Sequence, residues 1–173
     1  MNSFIKSLKS FAEKDFPINE VSNLILKSKF SNKSLDKYSY FNKNTYTRNM
    51  IYKDSNFEVL LICWSPGQVA PAHGHEGEKC WFKILSGSLE IYNYKIDSIK
   101  PLKLKQLEVI NASKGYLDGP ADIHAINNCY KKPVTTLHVY AKPYDSCDIY
   151  DLKTNQIQRL KMSYYSISGK LCY

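Results

Sequence analysis

The sequence predicts a mainly β protein, a sandwich or barrel of short strands with α-helices in front of it. From about Tyr46 onwards, stretches rich in Val, Ile, Tyr and Phe recur at short intervals between turn residues, as in all-β sandwiches and barrels. Before that point apolar residues recur at helical spacing instead. No internal repeat, low-complexity linker or second composition regime divides the 173 residues. One domain over 1–173 is therefore expected, long enough to bury a core without disulfides.

The helical segment is expected over 1–40. Phe4, Leu8 and Phe11 fall on one face of a first helix, and Val21, Leu24 and Ile25 on one face of a second. Asn19, followed by Glu20 and an apolar run, reads as the cap of that second helix. The barrel is expected over 45–168. In order, its strands are TYTRNMIYKD, FEVLLICW, KCWFKILSG, SLEIYNYKI, LEVINAS, DIHAINN, VTTLHVYAK, CDIYDL and IQRLKMSYYS, with KTNQ (153–156) as the hairpin turn between the last two.

Composition narrows the function classes. Hydrophobic residues at 43% and charged residues at 23% match a soluble globular chain. No run of about 18 apolar residues occurs, so no transmembrane helix is expected. The opening MNSFIKSLKSFAEKDF lacks the apolar block and small-residue cleavage site of a secretory signal. Five cysteines (Cys63, Cys80, Cys129, Cys147, Cys172), with no CxxC pair, suit a reducing compartment better than a disulfide framework or structural zinc. A cytoplasmic location follows. The net charge of +8 is spread over scattered lysines with no nucleic-acid module signature. Neither a nucleic acid nor a membrane is expected as partner, and the chain is expected to work as a monomer.

The segment PAHGHEGEKCWFKILSGSLE (71–90) carries the chemistry. On an extended strand, residues two apart leave the same face roughly 6–7 Å from each other, so His73 and His75 can converge on one metal ion. Taken alone, such a pair is more often a polar strand face. The wider spacing changes the balance. Gly67, His73, His75, Cys80 and Gly87 reproduce the spacing G-x5-HxH-x4-E-x6-G and so resemble the first cupin motif, with Cys80 in the glutamate position. PADIHAINN, with Pro120, His124 and Asn128, resembles the second motif with one residue fewer between proline and histidine. The cupin barrel (a small jelly roll) implied by this resemblance would bring His124 beside the pair. Three neutral imidazoles without a carboxylate are a variant of the open facial site of non-haem iron oxygenases.

A closer resemblance is to the cysteine dioxygenase family. YTRN (46–49), CW (63–64), HGHEGEKCWFKILSGSL, LHVYAKPYDSC (137–147) and KMSYYS occur in that family's order and at similar spacing, from Tyr46 to Ser166. The resemblance implies Fe(II) held by His73, His75 and His124, with L-cysteine and O2 as substrates and cysteine sulfinate as product. It also implies a place in cysteine catabolism and taurine biosynthesis. Tyr46 and Arg48 would bind substrate, Arg48 clamping its carboxylate. Tyr140 would lie near the oxygen site, with His138 and Thr136 behind it in a relay, and Cys147 at the entrance. In eukaryotic-type members a thioether joins the residues at the positions of Cys80 and Tyr140. The family's Tyr-Ser-Pro-Pro segment reads Tyr140-Ala141-Lys142-Pro143 here, so lysine replaces a proline that follows a cis peptide bond in the family.

The chemistry of the residues agrees. A planar guanidinium offers a carboxylate bidentate geometry that lysine lacks, which suits Arg48 to an amino-acid substrate. The competing readings are a thiol dioxygenase acting on 3-mercaptopropionate, which keeps the carboxylate, or on cysteamine, which does not. A non-enzymatic metal-binding cupin is the third. Cys63 and Trp64 read as core residues of the barrel wall, and Glu76 and Glu78 as a solvated turn around Gly77.

Overall fold

The structure, a computed structural model, describes residues 1–120 and 122–172. Ala121, inside the PADIHAINN segment, and Tyr173 lie outside the described residues.

The chain opens with α1 (Asn2–Ala12), α2 (Ile18–Lys27), the short α3 (Asn32–Leu35) and a 3-10 turn (Asp36–Tyr38). Phe4, Leu8, Val21 and Ile25 are buried, and Phe11 and Leu24 pack partly against them, so the predicted apolar faces are the packed faces. None of the described helices is long and apolar enough to cross a membrane. The expected Asn19 cap is corrected. Pro17, extended at φ −60° and ψ 123°, precedes the first helical residue, and Asn19 lies inside the first turn. The fixed φ of proline starts the helix without a side-chain cap.

The strands are β1 (Thr47–Lys53), β2 (Glu58–Trp64), β3 (Val69–His73), β4 (Lys79–Ser86), β5 (Ser88–Ile99), β6 (Leu102–Ser113) and β7 (Leu117–Asp118). They continue with β8 (Ile123–Asn127), β9 (Val134–Ala141), β10 (Ser146–Asp151), β11 (Gln156–Lys161), β12 (Ser166–Ile167) and β13 (Lys170–Leu171). One sheet runs β13-β12-β1-β2-β9-β4-β7, the other β11-β10-β3-β8-β5-β6. The predicted mainly β fold with helices in front is therefore present. Its boundaries differ in places: β6 starts at Leu102, ahead of LEVINAS, because Leu102 and Leu104 pair with Ile99 and Ile96 of β5. The last predicted strand stops at Lys161, where the Met162 amide donates to Asp145 O.

The core explains why FEVLLICW does not alternate. All seven residues of β2 are buried because both faces are covered. Val59, Leu61 and Cys63 meet Phe4, Leu8 and Ile25 of the helices. Leu60, Ile62 and Trp64 point between the sheets, toward Phe82, Ile84 and Ile91. Full burial of each such aliphatic or aromatic side chain is worth about 1.5–3 kcal/mol. At the β4–β5 turn Gly87 has φ +80°, and a Cβ there would stand 2.7 Å from Val134 Cγ2 and 3.0 Å from the Pro133 carbonyl. That last position of the first motif therefore needs glycine for both conformation and space.

Candidate metal centre

His73 closes β3 and pairs with His124 of β8 in the strand register. His75 departs from the expectation of one extended strand. Residues 74–78 turn away, with φ +59° at Glu76 and +74° at Gly77, so a turn and not strand alternation aims the second ring. The outcome is still convergence. The three ring centroids stand 4.8–5.2 Å apart, and the ligand nitrogens all lie within 4.8 Å of one another.

Each imidazole has a defined tautomer. Nδ1 of His73 is 2.8 Å from Pro71 O, and Nδ1 of His75 is 2.9 Å from Asp122 O. Nδ1 of His124 is 3.2 Å from Asp118 Oδ2. A carbonyl or carboxylate oxygen only accepts, so Nδ1 carries the hydrogen and Nε2 the lone pair in all three. Burial, reinforced by His75 next to it, lowers the His73 pKa to about 3. Burial also lowers His124 to about 4, outweighing the opposing pull of Asp118. Both rings are thus neutral at neutral pH, the form that binds metal. These residues fit a metal ion. Asp118 was not singled out from the sequence; it follows no motif spacing and reaches His124 only because β7 pairs with β4.

The facing wall belongs to the other sheet. In its register Glu58 of β2 and Cys80 of β4 flank Tyr140 of β9, forming one row across three strands. Thr136, His138 and Tyr140 alternate along β9 and are joined by hydrogen bonds, His138 Nε2 to Thr136 Oγ1 at 2.9 Å and His138 Nδ1 to Tyr140 Oη at 3.0 Å. Trp64 Nε1 donates to Thr136 Oγ1 at 2.9 Å. The Thr136 hydroxyl then has a good acceptor in His138 Nε2, since its alternative, Ile62 O, is 3.5 Å away. That order makes His138 Nδ1–H the donor to Tyr140 and leaves the phenol hydrogen for the cavity. Burial, then the neighbouring histidines, holds His138 well below its ordinary pKa and so neutral. Burial, then Tyr144 and Cys80, holds Tyr140 well above its own. Trp64, read from the sequence as a wall residue, thus anchors the relay and stacks on Tyr46 at 4.6 Å.

Arg48 is buried. Its Nη2 donates to Glu58 Oε1 at 3.3 Å, its guanidinium carbon sits 5.3 Å from the Tyr164 ring centre, and its buried Nε has no hydrogen-bond partner among the described residues. Burial opposes the charge on Arg48, but its surroundings, Glu58 among them, hold its pKa above the ordinary value. Glu58, fully buried, also accepts from the Tyr164 hydroxyl at 2.5 Å. Neither Glu58 nor Tyr164 was singled out from the sequence, where Glu58 merely opens an apolar strand.

Tyr46, Arg48, Trp64, His73, Tyr140 and Met162 line a cavity of about 20 Å³, with Tyr144 beside Tyr140 at 5.1 Å between ring centres. Two larger hollows, of about 670 and 570 Å³, touch none of the histidines, Arg48 or Tyr140, so donor chemistry and not size identifies the site. Cys147 is buried, with Sγ 3.5 Å from Met162 Sδ at the cavity wall. Cys80 is a buried free thiol, its pKa pushed well up by burial and then by Asp118 and Glu58. The Ala141–Lys142 peptide, where lysine replaces the family's proline, is cis. Glu76 is more than a solvated turn residue: Arg159 grips it through two contacts of 2.6 and 2.7 Å.

Comparison with known proteins agrees with this geometry. The family model for cysteine dioxygenase type I matches residues 2–153. Cysteine dioxygenase type 1 of Danio rerio is 24% identical over 177 residues, covering 98% of this chain and 88% of the relative. The Homo sapiens protein of that name is 25% identical over 137 residues, covering 76% and 68%. Among solved structures, a conserved protein with a double-stranded β-helix domain from Klebsiella pneumoniae superposes with a TM-score of 0.52 at 19% identity, over 67% of this chain and 85% of its own. The chain belongs to the cysteine dioxygenase type I family of the cupin superfamily.

Proposed function

We propose that this chain is a thiol dioxygenase that holds Fe(II) through His73, His75 and His124 and oxidises L-cysteine to cysteine sulfinate. The observation that carries the reading is the convergence of three histidines, each with Nδ1 held by an oxygen acceptor, beside a cavity that His73 lines together with Arg48 and Tyr140. When bound, Fe(II) supplies stabilisation of a thiolate and activation of molecular oxygen. The reaction balances without another reductant, since both oxygen atoms end on sulfur and the carbon–sulfur bond is kept.

The rest is the work of the chain. Arg48, which lines the cavity and has an Nε–H with no partner among the described residues, binds the substrate carboxylate, and Tyr46 lines the cavity beside it. Tyr140 keeps its proton, and His138 holds the hydroxyl so that this proton points into the cavity. Arg48, His138 and Tyr140 are all buried, which lowers the local dielectric and strengthens each of these contacts. Iron as the metal, cysteine as the substrate, a monomer as the working unit and the cytoplasm as the compartment belong to one proposal.

The test is anaerobic loading with Fe(II), then addition of L-cysteine and oxygen, with mass-spectrometric detection of cysteine sulfinate. Stoichiometric oxygen uptake and sulfinate are expected. A fully iron-loaded protein that forms neither would overturn the reading.

A further inference from the structure

Glu58 is a carboxylate of the chain's own that stands where a substrate carboxylate has a use. It is completely buried on β2, beside Tyr140 in the strand register, and its Oε1 takes an N–H from Arg48 at 3.3 Å. The Tyr164 hydroxyl fixes its Oε2, and Lys53 Nζ in turn donates to that hydroxyl at 3.0 Å. Glu58 is therefore held in place from behind, and one N–H of the guanidinium is engaged before any substrate arrives. Arg48 lines the cavity and keeps a buried Nε–H without a hydrogen-bond partner among the described residues, so donor capacity remains on the guanidinium.

The consequence lies in substrate choice. A buried guanidinium with no internal counter-charge strongly demands an anionic group from its ligand, because an unpaired buried charge is costly. With Glu58 in place that demand is already largely met. A small thiol lacking a carboxylate can then enter without leaving Arg48 uncompensated, while a thiol with one meets competition for the fork. We propose that Glu58 is the specificity-determining residue of this site, relaxing the requirement for a substrate carboxylate so that small thiols with and without one are both bound. Glu58 acts through Arg48 and is a positioning residue. The inference rests on the proposed thiol-binding role of the site.

The test is anaerobic calorimetric titration of the iron-loaded full chain with L-cysteine, 3-mercaptopropionate and cysteamine, with oxygen uptake measured alongside. In the wild type, the Kd values for cysteine and cysteamine should lie within about tenfold of each other. Glu58→Gln keeps the shape and removes the charge. It should tighten cysteine and weaken cysteamine, moving their Kd ratio by about tenfold or more, the worth of one charged hydrogen bond. Glu58→Asp keeps the charge and should stay near the wild-type ratio. An unchanged ratio in Glu58→Gln, at unchanged iron content and melting temperature, overturns the inference. If that variant loses iron or fails to fold, the wild type decides alone: a preference for cysteine beyond about 100-fold overturns it. Failure of the function reading looks different, as thiol binding without oxygen uptake by any of the three.

Discussion

The two walls of the cavity come from different sheets and are held by different means. His73 and His124 stand on the sheet of β3 and β8, and two of the three metal-facing rings are oriented by backbone carbonyls close in space, Pro71 O and Asp122 O. Arg48, Glu58, Tyr140 and Cys80 stand on the sheet of β1, β2, β9 and β4, and are oriented by other side chains. A backbone acceptor is delivered by the fold itself and no single substitution deletes it. A side-chain network depends on several residues meeting in one register, and any of them can change. The metal wall is thus the conservative half of the site, and the Arg48 wall is where substrate preference can be adjusted without disturbing the metal.

The largest effect should separate the walls. Alanine at His73, His75 or His124 should remove most of the iron and lower sulfinate formation more than about 100-fold, since even loss of an outer partner of a metal ligand costs about 10–100-fold. Metal analysis on the purified variant, with the sulfinate assay, checks it. Arg48→Lys should behave otherwise. It keeps the charge and loses the fork, so kcat/KM for cysteine should fall about 10–100-fold while iron content holds. Loss of iron in Arg48→Lys would break the comparison, because the walls would then not be independent.

Asp118 sharpens the same point, being the side-chain partner on the metal wall. Asp118→Asn can still accept from His124 Nδ1 but no longer as a full anion, so iron affinity should drop about tenfold, well short of ligand removal. Competition against a chelator of known affinity measures this. Unchanged affinity would mean that His124 is oriented by packing, with the Phe82 ring edge-on at 5.5 Å as the candidate.

What was legible in the sequence follows the same division. Helical periodicity gave the faces of α1 and α2 because one-sided burial leaves a period in the sequence. The His73-x-His75 spacing gave two of the metal-facing histidines because they are close in sequence, and His124 came separately, from the resemblance of PADIHAINN to the second motif. Glu58 was illegible: it reads as the polar start of an apolar strand, and its role depends on Tyr164, 106 positions away. Asp118 was hidden likewise, since its meeting with His124 depends on a two-residue strand docking on β4. Even His75 was reached for an incomplete reason, as a turn and not an extended strand orients it. Long-range register is set by the whole barrel, and one local segment does not carry it.

The smallest expected effect concerns Cys80. Cys80 and Tyr140 are register partners on adjacent strands, and both protons are held tightly, the thiol and phenol pKa values each being raised by burial first. Neither group is ionised at neutral pH, so they do not join by simple nucleophilic attack. Joining them is an oxidation: the S–H and a ring C–H break, a C–S bond forms, and oxygen takes up both hydrogens as hydrogen peroxide. The thioether should therefore appear only after aerobic turnover with iron, leaving the chain lighter by one hydrogen from each partner. Cys80→Ala should abolish that mass change and cost only a few-fold in turnover. His138 still holds the Tyr140 hydroxyl at 3.0 Å, and Tyr144 packs against the ring at right angles, so the tether adds order to a phenol already placed. A peptide map of active, iron-loaded enzyme after many turnovers, with both residues unmodified, would show that hydrogen bonding and packing alone place Tyr140, as they place everything else on its wall.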